Sequence, residues 1–120
     1  MSRPTVLVVE DDSGLRLALE HGLAAEGFAV EVAPDARTGY ERAAATRPDL
    51  VVLDWGLPDG DGRSACERLR EVHPGVRVVM LTGRSDGERA AQEAGAAAYC
   101  VKGIGLGALA EELRRVLDAG

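Results

Sequence analysis

The chain is 120 residues long, enough for one domain spanning 1–120 and too short for a second folded one. Hydrophobic residues make up 46% and charged residues 28%, a mixture that excludes disorder, and no apolar run approaches membrane-spanning length. With 20 acidic against 14 basic side chains the formal net charge is -6, so the summed field repels phosphate backbones and anionic headgroups and argues against direct nucleic-acid or membrane binding.

Met1 to Pro4 leads into the first apolar run without a basic n-region, so a cytoplasmic protein is expected. That run, Val6 to Val9, predicts a buried strand. Leu15, Ala18, Leu19, Gly22 and Leu23 then follow the spacing of an amphipathic helix, which Gly27 stops. Val30 to Ala33 predicts a second strand, and Asp35 the N-cap of a helix that ends before Arg47-Pro48. Further strands are expected at Leu50 to Leu53, Val78 to Leu81 and Tyr99 to Val101. Glu88 to Ala94 is the weakest helix, with only alanines to bury, whereas Leu106, Leu109, Ala110, Leu113 and Leu117 define a strong last one. Five strands alternating with five helices imply right-handed crossovers and a parallel sheet covered on both faces, a doubly wound α/β fold.

Cys66 and Cys100 have neither metal-ligand nor CxxC spacing and are expected to be buried free thiols in a reducing compartment. His21 and His73 fall within or at the end of helices and are expected to be solvated.

In doubly wound sheets, ligands bind beyond the carboxyl ends of the strands, so the residues just after each apolar run are the functional candidates. These are Glu10, Asp11 and Asp12 after the first, Asp54 after the third, Thr82 after the fourth and Lys102 after the fifth. Each alone is an ordinary loop or capping residue; the set in this order is not. Clustered carboxylates repel one another unless a cation sits between them, and hard oxygen ligands suit Mg2+. Mg2+ beside a carboxylate nucleophile, with a lysine and a hydroxyl nearby, is a set of parts for phosphoryl transfer.

The apolar run into Glu10-Asp11-Asp12, the segment Asp54-Trp55-Gly56-Leu57-Pro58-Asp59-Gly60-Asp61-Gly62, Leu81-Thr82-Gly83 and Val101-Lys102 together resemble the receiver domains of two-component response regulators, across essentially the whole chain. The resemblance implies a flavodoxin-like sheet of strand order 2-1-3-4-5. It implies that Asp54 accepts phosphate from a histidine kinase or histidine phosphotransfer protein, with small acyl phosphates as alternative donors, in a phosphoacceptor that is not a turnover enzyme. It further implies Mg2+ held directly by Asp11, mainly through water by Glu10, and also by Asp54 and the Gly56 carbonyl. Lys102 would pair with the phosphoryl oxygens, Thr82 would move toward them, and Tyr99 would swing inward behind it. The face around the fourth helix and fifth strand would be the output surface, engaging an output domain, a protein partner or a second copy on phosphorylation. The chain end just after the last helix leans toward the first domain of a longer regulator.

Two departures from the family pattern stand out. Gly103 follows Lys102 where the family commonly has a cis proline, so a trans peptide or a rearranged loop is expected. The span from Thr82 to Lys102 is about two residues shorter than usual for the family. Trp55, beside Asp54, is placed either to contact a partner or to cover the pocket rim.

Rival readings fare less well. A haloacid-dehalogenase-type hydrolase would want a second Asp where Gly56 stands. The run Gly103 to Ala108 satisfies GxGxxA, but no following strand presents a ribose-binding acid, and a flexible turn is the preferred reading. Asp59-Gly60-Asp61-Gly62 lacks EF-hand spacing. A degenerate receiver serving only as a protein interaction module is kept alive by Gly103, although the intact Glu10, Asp11, Asp54, Thr82 and Lys102 oppose it.

Overall fold

The computed structural model describes residues 3–83 and 87–119; Met1 and Ser2, part of the stretch read above as leaderless, lie outside the described residues. In chain order the elements are β1 (Thr5–Val9), α1 (Ser13–Ala25), β2 (Ala29–Ala33), α2 (Ala36–Thr46), β3 (Leu50–Asp54), α3 (Gly62–Val72), β4 (Arg77–Thr82), α4 (Glu88–Glu93), β5 (Ala98–Val101) and α5 (Leu106–Ala119). All strand pairs are parallel and the sheet order is β2-β1-β3-β4-β5, the expected doubly wound fold.

Side-chain alternation along the strands explains the two helix layers. Leu7, Val9, Val51, Leu53, Val78 and Met80 pack on one face with Ala36 and Ala43 of α2, Ala65, Cys66 and Leu69 of α3 and Ala91 of α4. Val6, Val8, Leu50, Val52, Val79 and Leu81 pack on the other with Leu19 and Leu23 of α1 and Leu109, Ala110 and Leu113 of α5. The central strands are therefore apolar on both faces, and every residue of β3 is buried, including Asp54 at its end. Each fully buried Leu or Val stabilises the fold by roughly 1.5–3 kcal/mol relative to exposure.

Aspartates cap two helix starts, Asp35 where the sequence places an N-cap and Asp61 at the start of α3. Asp35 accepts a hydrogen bond from Thr38 N at 2.8 Å and Asp61 from Ser64 N at 2.8 Å, each satisfying an orphan amide of the first turn. Helix α4 is the shortest, six residues with only Ala91 buried, as its alanine composition predicts. Several strands run a residue past their apolar windows, to Thr5, Arg77, Thr82 and Ala98, because ladder bonds join backbones whatever the side chain.

Both cysteines are buried free thiols, and burial pushes the Cys66 thiol up to about 11. His21 is exposed as expected. His73 is not solvated: it caps the end of α3, half-buried, with Nε2 2.8 Å from the Pro48 carbonyl oxygen. The turn between α2 and β3 passes that helix end, a proximity that local periodicity cannot report. Among the described residues, no helix is long and apolar enough to cross a membrane.

Candidate functional site

The parallel register brings the strand ends into line. Val9 pairs with Leu53, Asp54 with Leu81 and Thr82 with Val101, so Glu10, Asp54, Thr82 and Lys102 all emerge at one rim. Past Asp54 the ladder continues through Trp55 N to Leu81 O at 3.1 Å, and past Val101 through Lys102 N to Thr82 O. The acid-bearing and the lysine-bearing strand ends are thus locked to β4 between them.

Glu10 is 1% exposed, the deepest charged side chain among the described residues. Its Oε2 accepts from Asp12 N at 3.1 Å, and its Oε1 lies 3.2 Å from Lys102 Nζ without hydrogen-bond alignment. The same ammonium stands 3.1 Å from Asp54 Oδ1, which also accepts from Gly56 N at 3.2 Å. Glu10, Asp11 and Asp54 each present a carboxylate oxygen within 4.8 Å of the others, with Asp11 facing solvent and the other two buried.

Burial, together with the neighbouring Asp54, pushes the Glu10 carboxyl up to about 7 against the pull of the Asp12 amide and Lys102. Burial works in the same direction on Asp54, but the Gly56 amide, Lys102 and a hydrogen bond with Asp11 outweigh it and hold that carboxyl below its ordinary value. For Lys102, burial alone would lower the pKa, yet Asp54 and Glu10 raise it. The site therefore combines one firmly ionised carboxylate, one ammonium and one proton-hungry buried acid. Crowded carboxylate oxygens that repel one another are a good fit to a small hard divalent cation, which would relieve that repulsion.

Thr82 is buried at 4% exposure. Tyr99 is half-buried against the cluster under α4, and its hydroxyl accepts from Gly87 N at 3.2 Å where that helix begins. The Lys102–Gly103 peptide is trans, as expected, and the ammonium still reaches both buried acids. Trp55 is half-buried and packs over Gly62 at the start of α3, where an added Cβ would come within 2.9 Å of the indole; of the two roles considered, the rim-covering one matches this packing.

Two side chains escaped the sequence reading. Arg16 Nη1 donates to the Glu10 carbonyl at 2.9 Å and the Asp11 carbonyl at 3.3 Å, fastening the acidic turn to α1. Asp59 accepts from Ala36 N at 2.9 Å and Arg37 N at 3.1 Å, pinning the loop after Asp54 to the start of α2. Arg16 lies near the N-terminus of its helix, where the dipole disfavours a cation, and that unfavourable placement is the local signal that could have marked it. Asp59 left no local signal, since its partners are more than twenty residues away.

Comparison with known proteins agrees with this geometry. The family profile described as response regulator receiver domain matches residues 6–114. Transcriptional regulatory protein PrrA of Mycobacterium leprae is 41% identical over 119 residues, covering 98% of this chain and 51% of that protein. KDP operon transcriptional regulatory protein KdpE of Escherichia coli is 40% identical over 114 residues, covering 93% and 50%. The chain thus spans about half the length of these relatives. Among solved structures, the CheY-like response regulator receiver domain protein of Methanospirillum hungatei JF-1 superposes with a TM-score of 0.92 at 29% identity, covering 98% of this chain and 96% of that one. Profile, relatives and backbone converge on one assignment, and the chain belongs to the response regulator receiver domain family of two-component systems.

Proposed function

We propose that this receiver is a working phosphorylation switch with Asp54 as its acceptor. The observation that carries the reading is the position of Lys102 Nζ, 3.1 Å from Asp54 Oδ1, beside a cluster of three carboxylates. A degenerate module used only for protein contacts would have no need of a half-buried ammonium aimed at a buried aspartate.

In the proposed reaction an Asp54 carboxylate oxygen attacks the phosphorus of a phosphohistidine on a histidine kinase or phosphotransfer protein. The O–P bond forms as the P–N bond breaks, and the imidazole leaves with the electron pair and takes up a proton at the released nitrogen. Gly56 N–H and Lys102 hold the attacking carboxylate ionised and oriented. Lys102 then balances charge on the transferred oxygens, and the Thr82 hydroxyl donates to one of them. Glu10, Asp11, Asp54 and the Gly56 carbonyl would hold Mg2+, which supplies further neutralisation of the phosphoryl charge when bound. No step consumes a cosubstrate catalytically; the protein is the acceptor.

Phosphate on Asp54 favours the conformer in which Thr82 reaches it, and Tyr99 follows inward, repacking the face of α4 and β5. That face would engage an output domain, a protein partner or a second copy; the proposal includes neither nucleic-acid contact by this segment nor membrane binding, and it places the chain in the cytoplasm. Titration with beryllofluoride, a phosphoryl mimic, with and without Mg2+ tests the reading through Trp55 fluorescence and amide NMR. Saturable Mg2+-dependent shifts at Asp54, Thr82 and Tyr99 are expected; an unresponsive spectrum would leave the interaction-only module in its place.

A further inference from the structure

The backbone around Lys102 departs from the family pattern in a way that has its own geometry. Val101 C=O accepts from Ile104 N–H at 3.1 Å, closing a four-residue turn with Lys102 and Gly103 at its two central positions. Gly103 has φ +101°, and Lys102 has negative φ, since Arg47 is the single non-glycine residue with positive φ among the described residues. A negative followed by a positive φ defines a type II turn, whose third position demands glycine or tolerates asparagine. On its other side, the Lys102 amide is bonded to Thr82 O as the last rung of the β4–β5 ladder.

The lysine Cα is therefore fixed from both directions, by a ladder rung before it and a closed turn after it. That double constraint sets the direction in which the side chain leaves the backbone, toward Asp54 and Glu10. An added Cβ on Gly103 would meet nothing within 4 Å, so space does not require the glycine there. The left-handed backbone does.

We infer that Gly103 is a positioning residue for Lys102, its left-handed conformation closing the type II turn that aims the ammonium at Asp54 and Glu10. This rests on the phospho-switch reading above for its consequence in binding, though not for the placement itself. It carries a counter-intuitive corollary. Proline, the residue the family pattern favours at this position, has φ fixed near -65° and cannot occupy a site at +101°. Gly103→Pro should damage the site rather than perfect it.

The test compares wild type with Gly103→Asn, Gly103→Val and Gly103→Pro, each also in a Lys102→Ala background. Circular dichroism and Mg2+ affinity serve as checks that the sheet and the acidic cluster persist. The Val variant should bind beryllofluoride roughly five- to thirty-fold more weakly, the usual penalty for a left-handed L residue, and the Pro variant at least as much more weakly because its ring cannot adopt the turn, while Asn stays close to wild type. In the Lys102→Ala background the same substitutions should add nothing, because the effect passes through the lysine. The heteronuclear NMR signal of the Lys102 ammonium reads placement without any phosphoryl mimic. It should hold its position in Gly103→Asn and move in the other two. Unchanged ammonium signals in every variant, a Gly103→Pro protein that binds as well as wild type, or losses that persist undiminished without Lys102 would each overturn the inference. A wild type silent to beryllofluoride, with the ammonium pattern as expected, would instead sink the phospho-switch reading and leave the turn's role standing.

Discussion

The Lys102 ammonium lies 3.2 Å from Oε1 of Glu10, a carboxyl that is 1% exposed and whose pKa is nevertheless pushed up to about 7. One ammonium, shared with Asp54, does not offset the cost of burying the second acid as a carboxylate. Between the ordinary value of 4.5 and about 7, the folded state thus binds a proton at Glu10 that the unfolded chain has released. Stability from this group is fully present below the ordinary value of 4.5, is lost as pH rises through about 7, and is flat above. Without metal, urea unfolding at pH 5 and pH 8 should show Glu10→Gln gaining on wild type as pH rises, by an amount on the order of 3 kcal/mol. A pH-independent difference between the two proteins would contradict this account.

The proposed Mg2+ would compete with that same proton. Mg2+ affinity should fall below pH 7 with release of close to one proton per ion, measurable by calorimetry in buffers of different ionisation enthalpy. Asp11→Asn, at the solvent-facing member of the proposed ligand set, should weaken Mg2+ by roughly tenfold or more with little change in metal-free stability.

Asp54→Asn should abolish labelling by a phosphodonor while the fold is retained, because the amide is close in shape to the acid it replaces. It also removes a negative charge that raises Glu10, so Glu10 should titrate lower in this variant, visible by carboxyl NMR. Normal labelling stoichiometry would place the acceptor elsewhere.

Asp59→Ala should free two amides at the start of α2 and untie the loop after Asp54. A loss of about 0.5–2 kcal/mol in urea unfolding is expected, together with faster amide exchange at Ala36 and Arg37. If exchange accelerates only at residues of α3, the contact is not the anchor described.

Gly62→Ala would bring a methyl within 2.7 Å of Met80 Cε and 2.9 Å of the Trp55 ring. Overpacking of this kind costs about 1–3 kcal/mol, and Trp55 emission should shift as the indole is displaced.

The strand cores, their order of appearance and both strong helices could be read directly because Val6 to Val9 and Leu50 to Leu53 are short continuous apolar runs and the α5 leucines keep a helical period. The rim residues were equally legible, since the topology turns "next after a strand" into a place in space. What could not be read was long-range and polar. The burial of Glu10, the Asp59 anchor and the Pro48 contact of His73 depend on which loops pass one another, and no periodicity encodes that. The sequence leaves a trans peptide or a rearranged loop open at Gly103; that the peptide is trans and closes a turn of definite type is visible only with the φ angle and the Ile104 hydrogen bond.

The rung from Lys102 N to Thr82 O has a consequence for how such chains can change length over time. Because the hydroxyl-bearing and ammonium-bearing backbones are tied directly to each other, insertions and deletions in the connection between them need not travel to the rim. Helix α4, with six residues of which only Ala91 is buried, is the part of that connection with little core to lose. A change of length in α4 would thereby leave the residues at the two ends of the connection in register.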